Sequence, residues 1–147
     1  MSEQQKIRRA KRLLTMAERA METARAELAA SHQKLHAASE ERQSAERRLH
    51  EDNRCIGASP EWMLAELDQE ARRRDVRSAL EQEKKADAEL ATAKQKAAEV
   101  HQKHRVLERF HDNISDRFEG GVRRKEALDA DAFALAIWAR KTSSSQD

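Results

Sequence analysis

The chain has 147 residues, of which 38% are charged, yet 29 basic and 27 acidic side chains leave a net charge of only +2. Such even mixing, with aromatics at 3% and no Tyr, argues against a nucleic-acid binder, which needs a one-sided cationic surface and often aromatic stacking platforms. Leu, Ile, Val and Phe supply only 23 residues, too few for a round core, whereas Ala, Glu, Lys, Leu and Arg supply 85 of 147, the composition of long paired helices.

The opening Met1-Ser2-Glu3-Gln4-Gln5-Lys6 lacks the apolar core of a secretory signal, and no apolar run reaches membrane-spanning length, so a cytoplasmic protein is expected, with no direct membrane insertion. From there a seven-residue repeat sets in. Ile7, Leu14, Met21, Leu28, Leu35, Arg42 and Leu49 occupy one position, and Ala10, Ala17, Ala24, Ser31, Ala38 and Ala45 the other. The spacing predicts a helix over 4–52. At about 1.5 Å per residue it would be on the order of 75 Å long, too long to stand without a covered stripe.

A turn is predicted over 53–60, where Gly57 and Pro60 interrupt the repeat and Ser59 caps the next helix. Its single cysteine, Cys55, cannot make an internal disulfide and has no cluster of cations around it in sequence to activate the thiol. Ile56, Trp62 and Met63 either close this end or form a partner-binding tip. A second helix over 60–118 repeats Ala65, Arg72, Ala79, Ala86, Ala93, Val100, Leu107 and Ile114, with Gln69, Val76, Glu83, Leu90, Ala97, His104, His111 and Phe118 as companions.

The fold expected is all-α, with residues 1–119 as two long helices forming an antiparallel coiled-coil hairpin. Folding at the turn pairs residues whose numbers add to about 114. Leu35 then meets Ala79, Leu28 meets Ala86 and Leu90 meets Ala24, large against small, as close-packed layers require. One layer is discordant, because Arg42 faces Arg72. Residues 120–147 are expected to form a hinge at Gly120-Gly121, a short C-terminal helix over 128–141 and a disordered polar tail.

No catalytic pattern is present, so no enzyme activity, cofactor or metal is expected. His101, His104 and Glu108 share a helix face but fall on or beside the seam and read as polar packing residues, not metal ligands; His32 and His36 read as solvated. If the hairpin gathers its free ends, Lys6, Arg8, Arg9, Lys11 and Arg12 join Arg123, Arg124, Lys125, Arg140 and Lys141. A charge cluster is ordinarily a solvated face, but the neighbouring Phe133, Ile137 and Trp138 keep an acidic protein partner in view.

Several of these residues carry a resemblance. Two long helices, one short turn and a basic C-terminal end resemble the FliJ and YscO stalk proteins of flagellar and virulence type III export. The segment Ile56-Gly57-Ala58-Ser59-Pro60-Glu61-Trp62 is similar to the Ala-Ser-x-x-Trp turn of FliJ. Asp131-x-Phe133-Ala134 with Arg140-Lys141 is similar to its C-terminal segment, and Arg8-Arg9-Ala10-Lys11 through Ala17-Glu18-Arg19-Ala20 resembles the opening of YscO members. The resemblance implies a central stalk, peripherally associated with a membrane export apparatus, that couples a hexameric export ATPase to the cytosolic domain of the export gate and to export chaperones. On that basis Arg8, Arg9, Arg12, Phe133, Trp138 and Arg140 would face the ATPase ring. The middle of the second helix departs from FliJ, which leans toward the virulence branch and assigns no gate-binding residue. The competing expectation is a coiled-coil scaffold or tether with no export role.

Overall fold

The first helix begins where its orphan amides find partners. Ser2 Oγ accepts a hydrogen bond from the Gln5 amide (3.3 Å), and Gln5 Oε1 accepts one from the Ser2 amide (3.1 Å), a reciprocal capping box. The structure, a computed structural model, describes residues 1–51 and 59–145. Among them are two long helices that pack against each other, α1 (Glu3–His50) and α2 (Ser59–Ser144), and no strand. The expected turn, with Cys55 and Ile56, lies almost wholly outside the described residues. Pro60 follows the first residue of α2, where its missing N–H costs nothing.

The chain divides into two compact units, Met1–Glu18 with Gln102–Asp147, and Arg19–His101. In the second of these, every described residue assigned to the heptad seam is buried or half-buried, among them Met21, Leu28, Leu35, Val76 and Ala93. Leu90, at 5% exposure, is the one large side chain among the buried ones; Ala24, Ala45, Ala79 and Ala86 complete that set in this unit. Alanine at so many seam positions lets the two backbones approach closely.

The register differs from the expected one. Lys96 donates to Glu27 (2.9 Å), Arg42 to Glu83, and Arg72 to the Arg48 carbonyl (2.6 Å), pairs whose numbers add to 123, 125 and 120. They also run in opposite senses along the two helices, so the helices are antiparallel here. These sums lie 6 to 11 beyond the expected 114, and the shift nearest to them that keeps the seam residues on the seam is one heptad, to 121. Leu35 is then level with Ala86 instead of Ala79, and Leu28 with Ala93. A shift of seven keeps each residue on the seam and keeps large against small, but it changes the charged layer decisively. Arg42 no longer faces Arg72: it binds Glu83 across the seam and both carboxylate oxygens of Glu46 on its own helix (2.9 Å). Those hydrogen bonds, Glu46 first and Glu83 second, raise the guanidinium pKa above its ordinary value. Arg72 is held separately by Asp68 (3.0 Å) and the Arg48 carbonyl.

The shift also carries the start of α2 past the last residue of α1. His50, the last residue of α1, is level with about residue 71, so residues 59–70 run past it. Gln69 reaches back to the Leu49 carbonyl (3.2 Å), but Trp62, Met63, Leu64 and Leu67 stay exposed.

In the other unit Ile7, Leu14 and Ala17 of α1 and His104, Leu107, His111, Ile114 and Phe118 of α2 are half-buried, and Ala10 is buried. His104 Nε2 lies 4.0 Å from Glu18, a pair adding to 122. With α1 starting at Glu3, its partner level on α2 is about residue 118. Beyond Gly120 every described residue of α2 is exposed.

The hinge expected at Gly120-Gly121 is absent: α2 continues through both, and neither glycine has a positive φ. Each glycine costs a helix about 1 kcal/mol relative to Ala. That cost is small against a helix that continues on both sides, with Arg123 and Glu119 3.6 Å apart across the glycine pair. The short C-terminal helix is therefore the last part of α2. Much of the polar tail belongs to it too. The hydroxyls of Thr142, Ser143 and Ser144 donate to carbonyls three or four residues back, the back-bonding by which Ser and Thr satisfy their hydroxyls within a helix. A Cβ at either glycine would meet nothing within 4 Å. Gly120→Ala with Gly121→Ala should therefore stabilise α2 by about 1–2 kcal/mol, read as slower amide exchange over 115–130.

Candidate partner-binding surfaces

Among the described residues no group of three or more His, Cys, Asp or Glu side chains is placed to hold a metal ion. His104 is turned into the seam toward Glu18 while His101 is exposed, so the two do not converge. His36 sits 3.2 Å from Glu40 on an open helix face. What the chain offers instead is surface.

The most unusual surface is the part of α2 that outruns α1. Residues 132–139 form an uncharged run, and at about 100° per residue its large side chains do not share one face. Leu128 and Leu135 lie on one side, Phe133 and Ile137 on the opposite side, and Trp138 between them, while the remaining side carries Ala132 and Ala136 with Asp129 and Arg140. A helix with large apolar groups on three sides is one that is normally enclosed. Here Phe133 is 70% and Trp138 65% exposed. Cations stand at both ends of the arm, Arg123, Arg124 and Lys125 before it and Arg140 and Lys141 after it; Glu126, Asp129 and Asp131 are its only acids.

The sequence grouped this arm with Arg8, Arg9 and Arg12, and the structure separates them. All three arginines are exposed near the start of α1, with Arg8 level with about residue 113 of α2. Phe133 lies twenty residues further along the same helix, on the order of 30 Å away along its axis. The ten cations therefore form successive groups along this unit and not one cluster, because the arm continues outward where the sequence suggested that a hinge would turn it back.

The early part of α2 carries the other expected surface. Trp62, Met63 and Leu67, with Glu66, Glu70, Arg73 and Arg77, line an open groove. Trp62 and Met63 are 59% and 63% exposed, so neither closes an end by packing among the described residues; Ile56 lies outside these residues. Their exposure follows from the one-heptad shift, which carries them past the last turn of α1.

A third surface gave no sequence signal that a linear reading would find. Positions just before the seam residues form one flank of the unit that holds both chain ends: Lys6, Arg9, Leu13 and Met16 on α1, with Lys103, Val106, Phe110, Asn113 and Arg117 on α2. In an antiparallel pair equivalent heptad positions face each other on the same side of the seam, as Glu27 and Lys96 do in the other unit. From His104 opposite Glu18, Leu13 is level with Phe110. The flank positions themselves carry no acid, though Lys6 is paired with Glu3 (2.7 Å). Glu18, Glu108, Asp112 and Glu119 occupy the other flank, and Asp116 lies on the outer face of α2.

Comparison of the chain with protein-family models, with curated proteins and with solved structures gives no match. Among the described residues no helix is long and apolar enough to cross a membrane.

Proposed function

We propose that this chain is a non-enzymatic stalk protein of the type III or flagellar export kind. In this reading the two helices form an antiparallel coiled-coil hairpin, and the outrunning arm of α2 enters a ring-shaped partner, the hexameric export ATPase. The observation that carries the reading is the arm itself: its large apolar side chains point to three sides, cations stand at both ends, and all of them are exposed. One flat partner covers only one face of a helix. A ring covers all of them, and it also presents repeated polar loops to the flanking cations. The groove at Trp62 and Met63, at the other end of the α2 sequence, is then the candidate contact for the export gate's cytosolic domain or for export chaperones.

A stalk of this kind owns no chemistry. One asymmetric element inside a six-fold ring cannot contact all subunits alike, so it biases which ATP site turns over through differential contact. Such a protein works in the cytoplasm, associated with a membrane machine through its partners and not through a lipid-inserted segment.

Affinity purification of the full chain from its source cells, beside a chain ending at Gly120, tests the reading. The full chain should retain an export ATPase identified by mass spectrometry, and the shortened chain should lose it. Equal recovery from both, or recovery of neither ATPase nor gate protein by the full chain, would leave the scaffold reading in its place.

A further inference from the structure

A second, separate interaction surface stands on the acid-free flank of the unit that contains both chain ends. Leu13, Met16, Val106 and Phe110 are exposed to 40%, 64%, 60% and 52%, respectively. Register brings Leu13 level with Phe110 and Met16 level with Val106, so the four form one apolar patch bridging the groove between the helices. Arg9 and Lys103 border it, and neither has an ion-pair partner among the described residues. Isolated exposed apolar side chains on a helical protein mean little, but four gathered over about two turns on one side of a seam, with cations and no acids around them, define a surface with a particular complement.

We propose that this flank binds an acidic amphipathic helix of another protein, which lies along the groove as a third helix. The apolar stripe of that helix would rest on Phe110, Leu13, Val106 and Met16, and carboxylates at its edges would meet Arg9 and Lys103. The patch is too small for firm attachment to a lipid surface, which requires a longer apolar face or a second anchor. Nucleic acid would use the cations but gain nothing from an apolar centre. A second copy of the chain fits poorly, because this flank is cationic in both copies.

The probe is a fluorescently labelled three-heptad peptide with Leu along one stripe and Glu on its other faces, titrated with the full-length chain and read by anisotropy. A counterpart with Lys in place of Glu is run beside it. The Glu peptide should bind saturably and the Lys peptide should not. Phe110→Ser should weaken binding about tenfold or more, Lys103→Glu should weaken it and narrow the preference for the Glu peptide over the Lys peptide, and Phe110→Leu should retain it. Glu108→Gln, on the opposite flank, should leave the affinity unchanged. Equal binding of both peptides, or a Glu-peptide affinity indifferent to Phe110→Ser and Lys103→Glu in variants with wild-type circular dichroism, would overturn the proposal. So would failure of the Glu peptide together with Phe110-dependent binding of phosphatidylserine vesicles or duplex DNA, which would assign the surface to one of those instead.

Discussion

Replacing Phe133 and Trp138 together by Ser should abolish capture of the ring partner, lowering its affinity by about a hundredfold or more, while leaving thermal stability unchanged. Two buried aromatic anchors at the centre of an interface each contribute on the order of 2 kcal/mol or more to binding. In the free chain these same side chains cover almost nothing, being 70% and 65% exposed, so their loss removes little from the fold. Far-ultraviolet circular dichroism and a melting curve establish the second half of the expectation, and titration against the purified partner the first. A drop in melting temperature equal to that of a seam mutation would show that the arm packs on its own chain.

The converse expectation concerns Leu90. Leu90→Ala should destabilise the chain by about 2–3 kcal/mol, a fall of roughly 10 °C in melting temperature for a chain of this length, and should not alter partner binding at temperatures where the chain stays folded. The size of the effect rests on context. Leu90 is 5% exposed and the other buried residues among those described are all Ala, so little neighbouring bulk can collapse into the space it leaves. Leu64→Ala is the natural control. Leu64 is 67% exposed on the part of α2 beyond α1, and its truncation should move stability by no more than about 0.5 kcal/mol.

The seam itself was legible because its physics is periodic. Residues recurring every seven positions on a long helix must share one side, so Ile7 through Leu49 and Ala65 through Phe118 could be assigned to it from spacing alone, and every described one is covered. The register was not legible from size alone. A heptad shift moves Leu35 from Ala79 to Ala86 and Leu28 from Ala86 to Ala93, and both alignments fill space equally well. Charge breaks the tie. The smaller sum sets Arg42 against Arg72, and the larger one adds Glu83 to the Glu46 that Arg42 has on its own helix. The discordant layer in the sequence was thus a sign of misalignment.

The two ends of α2 show the limits of local punctuation. Gly120-Gly121 suggested a hinge because glycine is a poor helix former, yet a cost of about 1 kcal/mol per residue does not stop a helix that has Glu119 and Arg123 bridging the pair and strong helix formers beyond. Without the break, the apolar segment from Leu128 to Trp138 projects outward instead of folding back. The residues expected to face a partner were recognisable by type, since Phe133, Trp138 and Met63 are large apolar groups outside the seam repeat and Trp62 stands one heptad before its first assigned companion, Gln69. Their separation from Arg8, Arg9 and Arg12 depended on the hinge and could not be read. The flank at Phe110 escaped notice for another reason: Leu13 and Phe110 are 97 positions apart in sequence, and only the corrected register sets them level.

The most direct test of the stalk reading places a photo-activatable phenylalanine analogue at position 133 of the full chain in its source cells and identifies what it captures on irradiation. One dominant adduct is expected, with a subunit of the hexameric export ATPase, and it should disappear when the analogue is moved to the exposed position Glu40 on α1. A dominant adduct with the chain itself, or capture of diverse proteins with no ATPase among them, would contradict the stalk reading.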